Sequence, residues 1–392
     1  MTAPIGYFVH HQGRGHAERC AALLRALPSA RPATVFCARP EVMPELPPWA
    51  RIRAIPSLFE RRGDEAEGLD RVPHPETCHC APLGWPAIGE AMAAMAGWMA
   101  EARPALMVVD VSAEVAQLAR LCSVPHVHVL QHGDRDDPGH AAAYDGAAGL
   151  LAPCAGALAQ PEWARWADRI HHAGGLGVAL PFPSRAEARA ALGIAPAERL
   201  FVVVSGAGGD GVAAAPLAVG ARAFPDVRWV TLGPIRRDWH ATEPANLDHR
   251  GWIEGADAWI AAADLVVAST GNTTVHQILS AGVPFLAIPE WRYFDEQGRK
   301  AEALRAAGLA HALTALPASA AAWRAAVAAA TGRHDAALQR ACVDPDAPRR
   351  AGAWLDALAE TMTGRRGVAP RAVAHIQQGR PQDAPPITLA GE

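Results

Sequence analysis

Short apolar runs recur along this chain, and between them lie longer stretches whose apolar positions fall at helical spacing. A short run of this kind reads as a buried parallel strand, and the helical stretch after it as the crossover to the next. In the first half, strands are predicted at residues 5–9, 34–37, 52–55, 106–109, 126–130 and 149–152. Cys20, Leu23, Leu24 and Leu27 share one helical face, and residues 91–102 are rich in the helix formers Ala and Met. Residues 57–86, heavy in Pro, Gly and charge, predict a long loop.

A turn-rich stretch at 174–184, ending Pro181-Phe182-Pro183-Ser184, separates this series from a second one. Strand runs resume at 200–204, 228–232, 265–268, 285–288 and 310–313, and 349–362 reads as a last helix. The fold class is therefore α/β, with two Rossmann-like domains at 1–176 and 185–346. A C-terminal helix at 347–364 follows, then a polar tail at 365–392 that is expected to be disordered. Two domains also suit the length of 392 residues, because single cores stop growing near ~250 residues.

Composition narrows the partners. A net charge of −4 with no basic block argues against nucleic acid and leaves a small molecule as the expected partner. The seven cysteines are scattered, and no signal peptide is evident, so a reducing cytoplasm is expected. No apolar stretch approaches the ~18 residues of a membrane span, which leaves only peripheral membrane contact open.

Most of the chemistry lies in 263–289, which scans as strand, tight turn, helix, strand. Val275, Ile278 and Leu279 bury one helical face, and Gly282 and Pro284 end the helix. The turn Thr270, Gly271, Asn272, Thr273 presents backbone N–H groups at the helix start, where the dipole favours an anion such as a diphosphate. Upstream, the run from Leu200 enters the Gly-rich turn Ser205, Gly206, Gly208, which allows close approach of backbone to phosphate or sugar.

These residues resemble the donor motif of the B-type glycosyltransferases, in particular the peptidoglycan N-acetylglucosaminyltransferase and the UDP-glycosyltransferases. Thr270, Gly271, Thr274, Gly282 and Pro284 match a pattern that reads roughly Ser-Gly-x-x-Thr-x-x-Glu before Gly-x-Pro. Gln277 stands at the family's ribose-binding Glu; an amide can still pair with a diol but lacks charge-assisted bonds roughly twice as strong. Glu296 and Gln297 occupy the places of the family's pair that reads the donor sugar's hydroxyls, and Gly251-Trp252-Ile253 lies where relatives hold the base edge. The resemblance implies the GT-B fold, two Rossmann-like domains facing across a cleft, with a nucleotide-sugar donor, UDP-linked, as substrate and no separate cofactor.

In the first half, the first strand runs into His10-His-Gln-Gly-Arg-Gly-His16, placing Gly13, Gly15 and His16 at a strand's carboxyl end, where ligands of open α/β sheets collect. This run resembles the family's Gly-His loop, whose His is the base toward the acceptor hydroxyl. With a free pKa near ~6.5, imidazole suits that work. Asp110 closes another strand and reads either as the partner that orients His16 or as the cap of the helix after it. Arg19 resembles Gly-His-x-x-Arg variants, among them a UDP-sugar hydrolase.

Asp134-Arg-Asp136 reads as a solvated turn rather than a metal motif, with His132 and His140 nearby as acceptor-side candidates. Cys78-His79-Cys80 lacks the second pair of a zinc site and reads as a plain loop. The expected function is transfer of a hexose or N-acetylhexosamine to an acceptor hydroxyl. A hydrolase of the same fold and a catalytically silent donor-binding subunit stand as the alternatives. The acceptor is unknown from sequence, because the loops that would choose it carry no motif.

Overall fold

A computed structural model of the chain describes residues 2–78, 80–206, 211–237 and 242–364. Gly208 and the tail expected at 365–392 lie outside these residues. Seven strands of the first half are β1 (Ile5–Val9), β2 (Ala33–Cys37), β3 (Ala50–Ala54), β4 (Leu106–Asp110), β5 (His126–Val129), β6 (Gly149–Ala152) and β7 (Ile170–His172). They form one parallel sheet in the order β3-β2-β1-β4-β5-β6-β7. Its helices are α1 (Arg14–Arg25), α2 (Pro86–Ala102), α3 (Ala113–Leu121) and α4 (Pro138–Gly146).

The second half begins at α5 (Arg185–Leu192), whose start is fixed by a capping box between Ser184 and Glu187. Its strands are β8 (Arg199–Val204), β9 (Val212–Ala213), β10 (Val227–Leu232), β11 (Ile235–Arg236), β12 (Leu247–His249), β13 (Leu265–Ala268), β14 (Phe285–Ala287) and β15 (His311–Ala312). Six of them make a parallel sheet in the order β12-β10-β8-β13-β14-β15, and β9 and β11 pair separately. The helices are α6 (Ala214–Ala223), α7 (Ala256–Ala262), α8 (Asn272–Ala281), α9 (Glu296–Ala306), α10 (Ala320–Gly332), α11 (Ala336–Ala341) and α12 (Ala347–Met362).

The apolar pattern locates the inner strands, because β1, β4, β5, β6 and β13 are buried along their full length. It misses β7 and β12, whose residues Ile170, His171, His172, Asp248 and His249 are half-buried. An edge strand packed on one side needs no continuous apolar run.

Helix α12 returns to the first domain. Leu355, Ala351 and Ala359 join the apolar cluster of Ile5, Tyr7 and Leu24. Arg31, fully buried, donates from Nε to Asp356 Oδ1 at 3.0 Å, from Nη2 to Glu360 and from Nη1 to the Ala3 carbonyl. The C-terminal helix thus straps the second domain back onto the first. A second apolar cluster contains residues of both sheets, from Phe8 and Leu150 to Val202 and Val266. Among the described residues, no helix is long and apolar enough to cross a membrane.

Candidate active site

The carboxyl ends of the two sheets face one cleft, and His16 enters it from the first turns of α1. Asp110 ends β4, the sheet neighbour of β1, so it emerges beside the loop that leads to His16. The His16 Nδ1 lies 3.0 Å from Asp110 Oδ2, and the carboxylate is completely buried. Ser112, not Asp110, caps α3, its hydroxyl accepting from the Val115 N–H. The capping reading of Asp110 therefore falls, and its place beside the imidazole stands.

Arg19, one turn after His16, donates from Nη2 to Asp110 Oδ1 at 2.7 Å and lies 2.9 Å from His16 Nδ1. Burial pushes the Asp110 carboxyl up, but Arg19 and His16 together reverse this and hold it well below the usual carboxylate range. Arg19 Nη2 also donates to both Asp110 oxygens, so a hydrogen on His16 Nδ1 has the Asp110 carboxylate to receive it, and in that tautomer Nε2 carries the lone pair for a ligand.

Across the cleft, α8 begins at Asn272 with Gly271 as its N-cap and no side chain bonded to its first turn. The N–H groups of Asn272, Thr273 and Thr274 therefore have no intrahelical partner, as helix geometry requires. Gly15 approaches this turn so closely that an added Cβ would lie 2.9 Å from Thr273 Oγ1. A larger residue at position 15 would make the Thr273 side chain give way.

A cavity of about 620 Å³ opens between these helix starts. Gly15, His16 and Gln277 line it together with Gly271, Asn272, Thr273 and Thr274. Ser205, Gly206, Trp252, Ile253, Glu296 and Gln297 also reach it, so the expected donor residues within the described residues, apart from the buried Thr270, gather in one place.

Three expectations are corrected in detail. The Thr270 N–H is not available to a ligand, because it donates to Gln297 Oε1 at 3.2 Å while the Thr270 hydroxyl donates to the Gln297 carbonyl. Gln297 Oε1 also accepts from the Glu290 N–H at 2.8 Å, so its oxygen ties the motif turn to the 290 loop and only its Nε2 is left for a sugar. His140 is completely buried, with Asp137 on Nδ1 and Arg135 Nη1 donating to Nε2, and it lines neither cavity. His132 does line the 620 Å³ cavity, but its Nε2 bonds the Leu158 carbonyl, and burial holds its pKa well below that of a free imidazole.

A larger cavity of about 1130 Å³ adjoins the first. Phe59, Trp85, Trp291, Tyr293 and Phe294 line it, with His10 and Arg135. The His10 ring stacks on Phe59 at 4.5 Å and stands 5.3 Å from His16. Burial first, and then the neighbouring His16, push its pKa down to about 3, so His10 is neutral. These aromatic residues come from the loops around 57–86 and 290–295, where no motif marks them.

Lys300 was also not singled out by sequence, although a signal for it exists. Gln297, Lys300, Ala301 and Leu304 are the buried positions of α9, so the helical spacing itself places a lysine on the interior face. Asp134, read as part of a solvated turn, pairs with Arg299 at 3.2 Å across the domain interface. His79 of the Cys-His-Cys run lies outside the described residues.

No protein-family model matches the chain, and no curated protein sequence matches it. Solved structures do. A UDP-glucosyltransferase from Polygonum tinctorium capable of glucosylating indoxyl is 14% identical, with 91% of this chain and 98% of that one covered at a TM-score of 0.64. UGT89C1 of Arabidopsis thaliana, complexed with UDP, is 17% identical with 92% and 99% covered at 0.60. MurG of Acinetobacter baumannii is 16% identical with 90% and 98% covered at 0.55. At such low identity it is the fold that is shared: the chain has the two-domain GT-B architecture of these glycosyltransferases.

Proposed function

We propose that the protein transfers a hexose or N-acetylhexosamine from a nucleoside diphosphate sugar, with UDP as the nucleotide, to a hydroxyl of an organic acceptor. One observation carries this reading: the two cavities meet at His16. Gln12, His16, Gln131, Ser269, Arg292 and Glu296 line both, so an acceptor in the larger cavity and a donor in the smaller one share the imidazole.

In the reaction, His16 Nε2 takes the acceptor's hydroxyl proton as that oxygen forms its bond to the sugar's anomeric carbon. The bond from that carbon to the diphosphate oxygen breaks, and its electron pair stays on the diphosphate. Asp110 steadies the imidazolium, and the N–H groups that open α8 face the departing charge. UDP is favoured by the resemblance of the α8 motif, and the Arabidopsis structure of this fold holds UDP. The aromatic lining of the larger cavity favours an organic acceptor over water, and so transfer over hydrolysis.

A thermal-shift panel of nucleoside diphosphates and their sugars tests the reading. A ligand that binds only the native state at a hundred times its Kd adds ~2.7 kcal/mol, so UDP or a UDP-sugar is expected to raise Tm by several degrees. No shift with any nucleotide would overturn it.

A further inference from the structure

Lys300 is the most unusual side chain in the cleft. Its residue is only 2% exposed, yet it lines the donor cavity. Its Nζ donates to Asn272 Oδ1 at 2.9 Å, a neutral partner. Among the described residues no carboxylate lies within ion-pair distance of it. An ammonium brings three donors and is almost never buried without an opposite charge. Among the described residues the protein thus gives the Lys300 amine a neutral partner and no counter-charge within ion-pair distance.

The surroundings agree. Burial lowers the Lys300 pKa, Arg19 on α1 lowers it further, and Glu296 and Cys154 act in the opposite direction without cancelling the shift. His132 and His276 also neighbour it; burial pushes both imidazoles down, His276 to about 4, so neither offers negative charge. Arg19 is committed to Asp110. The partner of Lys300, Asn272, is the first residue of α8, so the ammonium and the open N–H groups of that helix lie at the same end of the cavity.

We propose that Lys300 binds the diphosphate of the donor and holds the charge that collects on it as the sugar departs. No proton leaves Lys300 in the step, since the electron pair of the broken bond remains on the phosphate oxygen and the acceptor's proton goes to His16. This rests on the functional reading above and assigns a residue that no motif marks. A solely structural alternative exists, because Asn272 Nδ2 also donates to the Pro153 carbonyl of the first domain at 3.3 Å. In that alternative Lys300 merely steadies an interdomain contact.

Calorimetric titration of wild type, K300Q and K300M with UDP and with uridine separates the two. K300Q keeps an N–H donor on a side chain one atom shorter and removes the charge. Both variants are expected to bind UDP ~10- to 100-fold more weakly, the worth of one charge-assisted bond, with uridine affinity unchanged. K300R should recover most of the loss. Equal weakening of uridine and UDP, or UDP affinity within twofold of wild type in K300Q, overturns the proposal and leaves the functional reading standing. A wild type that binds neither ligand overturns both. If K300M fails to fold, K300Q alone decides.

Discussion

A carboxylate as deeply buried as Asp110 needs partners, and Arg19 and His16 supply them. The arrangement fixes the imidazole and explains why a charge persists where water is excluded. His16→Ala is expected to lower turnover of the preferred UDP-sugar by ~10²- to 10⁴-fold, the usual worth of a general base. UDP affinity should stay within a few-fold, because the proposed seat of the diphosphate is the start of α8, across the cleft from His16. Initial rates beside a binding titration check both, and an unchanged rate would remove the role. At this scale the sequence is informative where a residue stands at or just beyond the carboxyl end of a strand, as for Asp110 at the end of β4 and His16 in the helix start that follows β1. It said less about Gln297, whose oxygen goes to two backbone N–H groups that only the folded loop brings together. Lys300 was legible only through its place in the buried spacing of α9.

Two elements do most of the positioning, the uncapped start of α8 and the returning helix α12. The first is a local property of the Thr-Gly-Asn turn and could be read from the residues. The second is not local. Residues 349–362 predict a helix, but that its partner is α1 depends on Arg31 meeting Asp356 and Glu360 over three hundred residues later. Gly352 marks their closest approach, since a Cβ there would lie 2.4 Å from the Ala26 carbonyl oxygen at the end of α1. Gly352→Ala should therefore force the helices apart and cost ~1–3 kcal/mol, as overpacking does, despite alanine's better helix propensity. Urea denaturation reads this as a lower midpoint; a midpoint equal to or above that of wild type would show that the contact yields freely.

At the scale of the molecule, the two sheets are held by α12, by a shared apolar cluster and by polar contacts at the cleft. The Asp134 N–H donates to the Phe294 carbonyl at 2.6 Å, and the Arg135 guanidinium lies 4.7 Å from the Phe294 ring. Loops of both halves thus build the larger cavity jointly. That is the physical reason the larger cavity is not legible in the sequence: its aromatic residues are far apart in the chain and follow no period. The alternation of strands and helices, in contrast, repeats often enough to give both sheets. Only edge strands such as β7 and β12, half open to solvent, fell below that signal.

The central claim is that a donor's diphosphate sits at the start of α8, opposite His16. A crystal structure with bound UDP tests it most directly. The account predicts the diphosphate within hydrogen-bond reach of the Asn272–Thr274 N–H groups and Lys300 Nζ, with the end that carries the sugar turned toward His16. A nucleotide seated away from α8, with His16 and Lys300 both out of its reach, would contradict it.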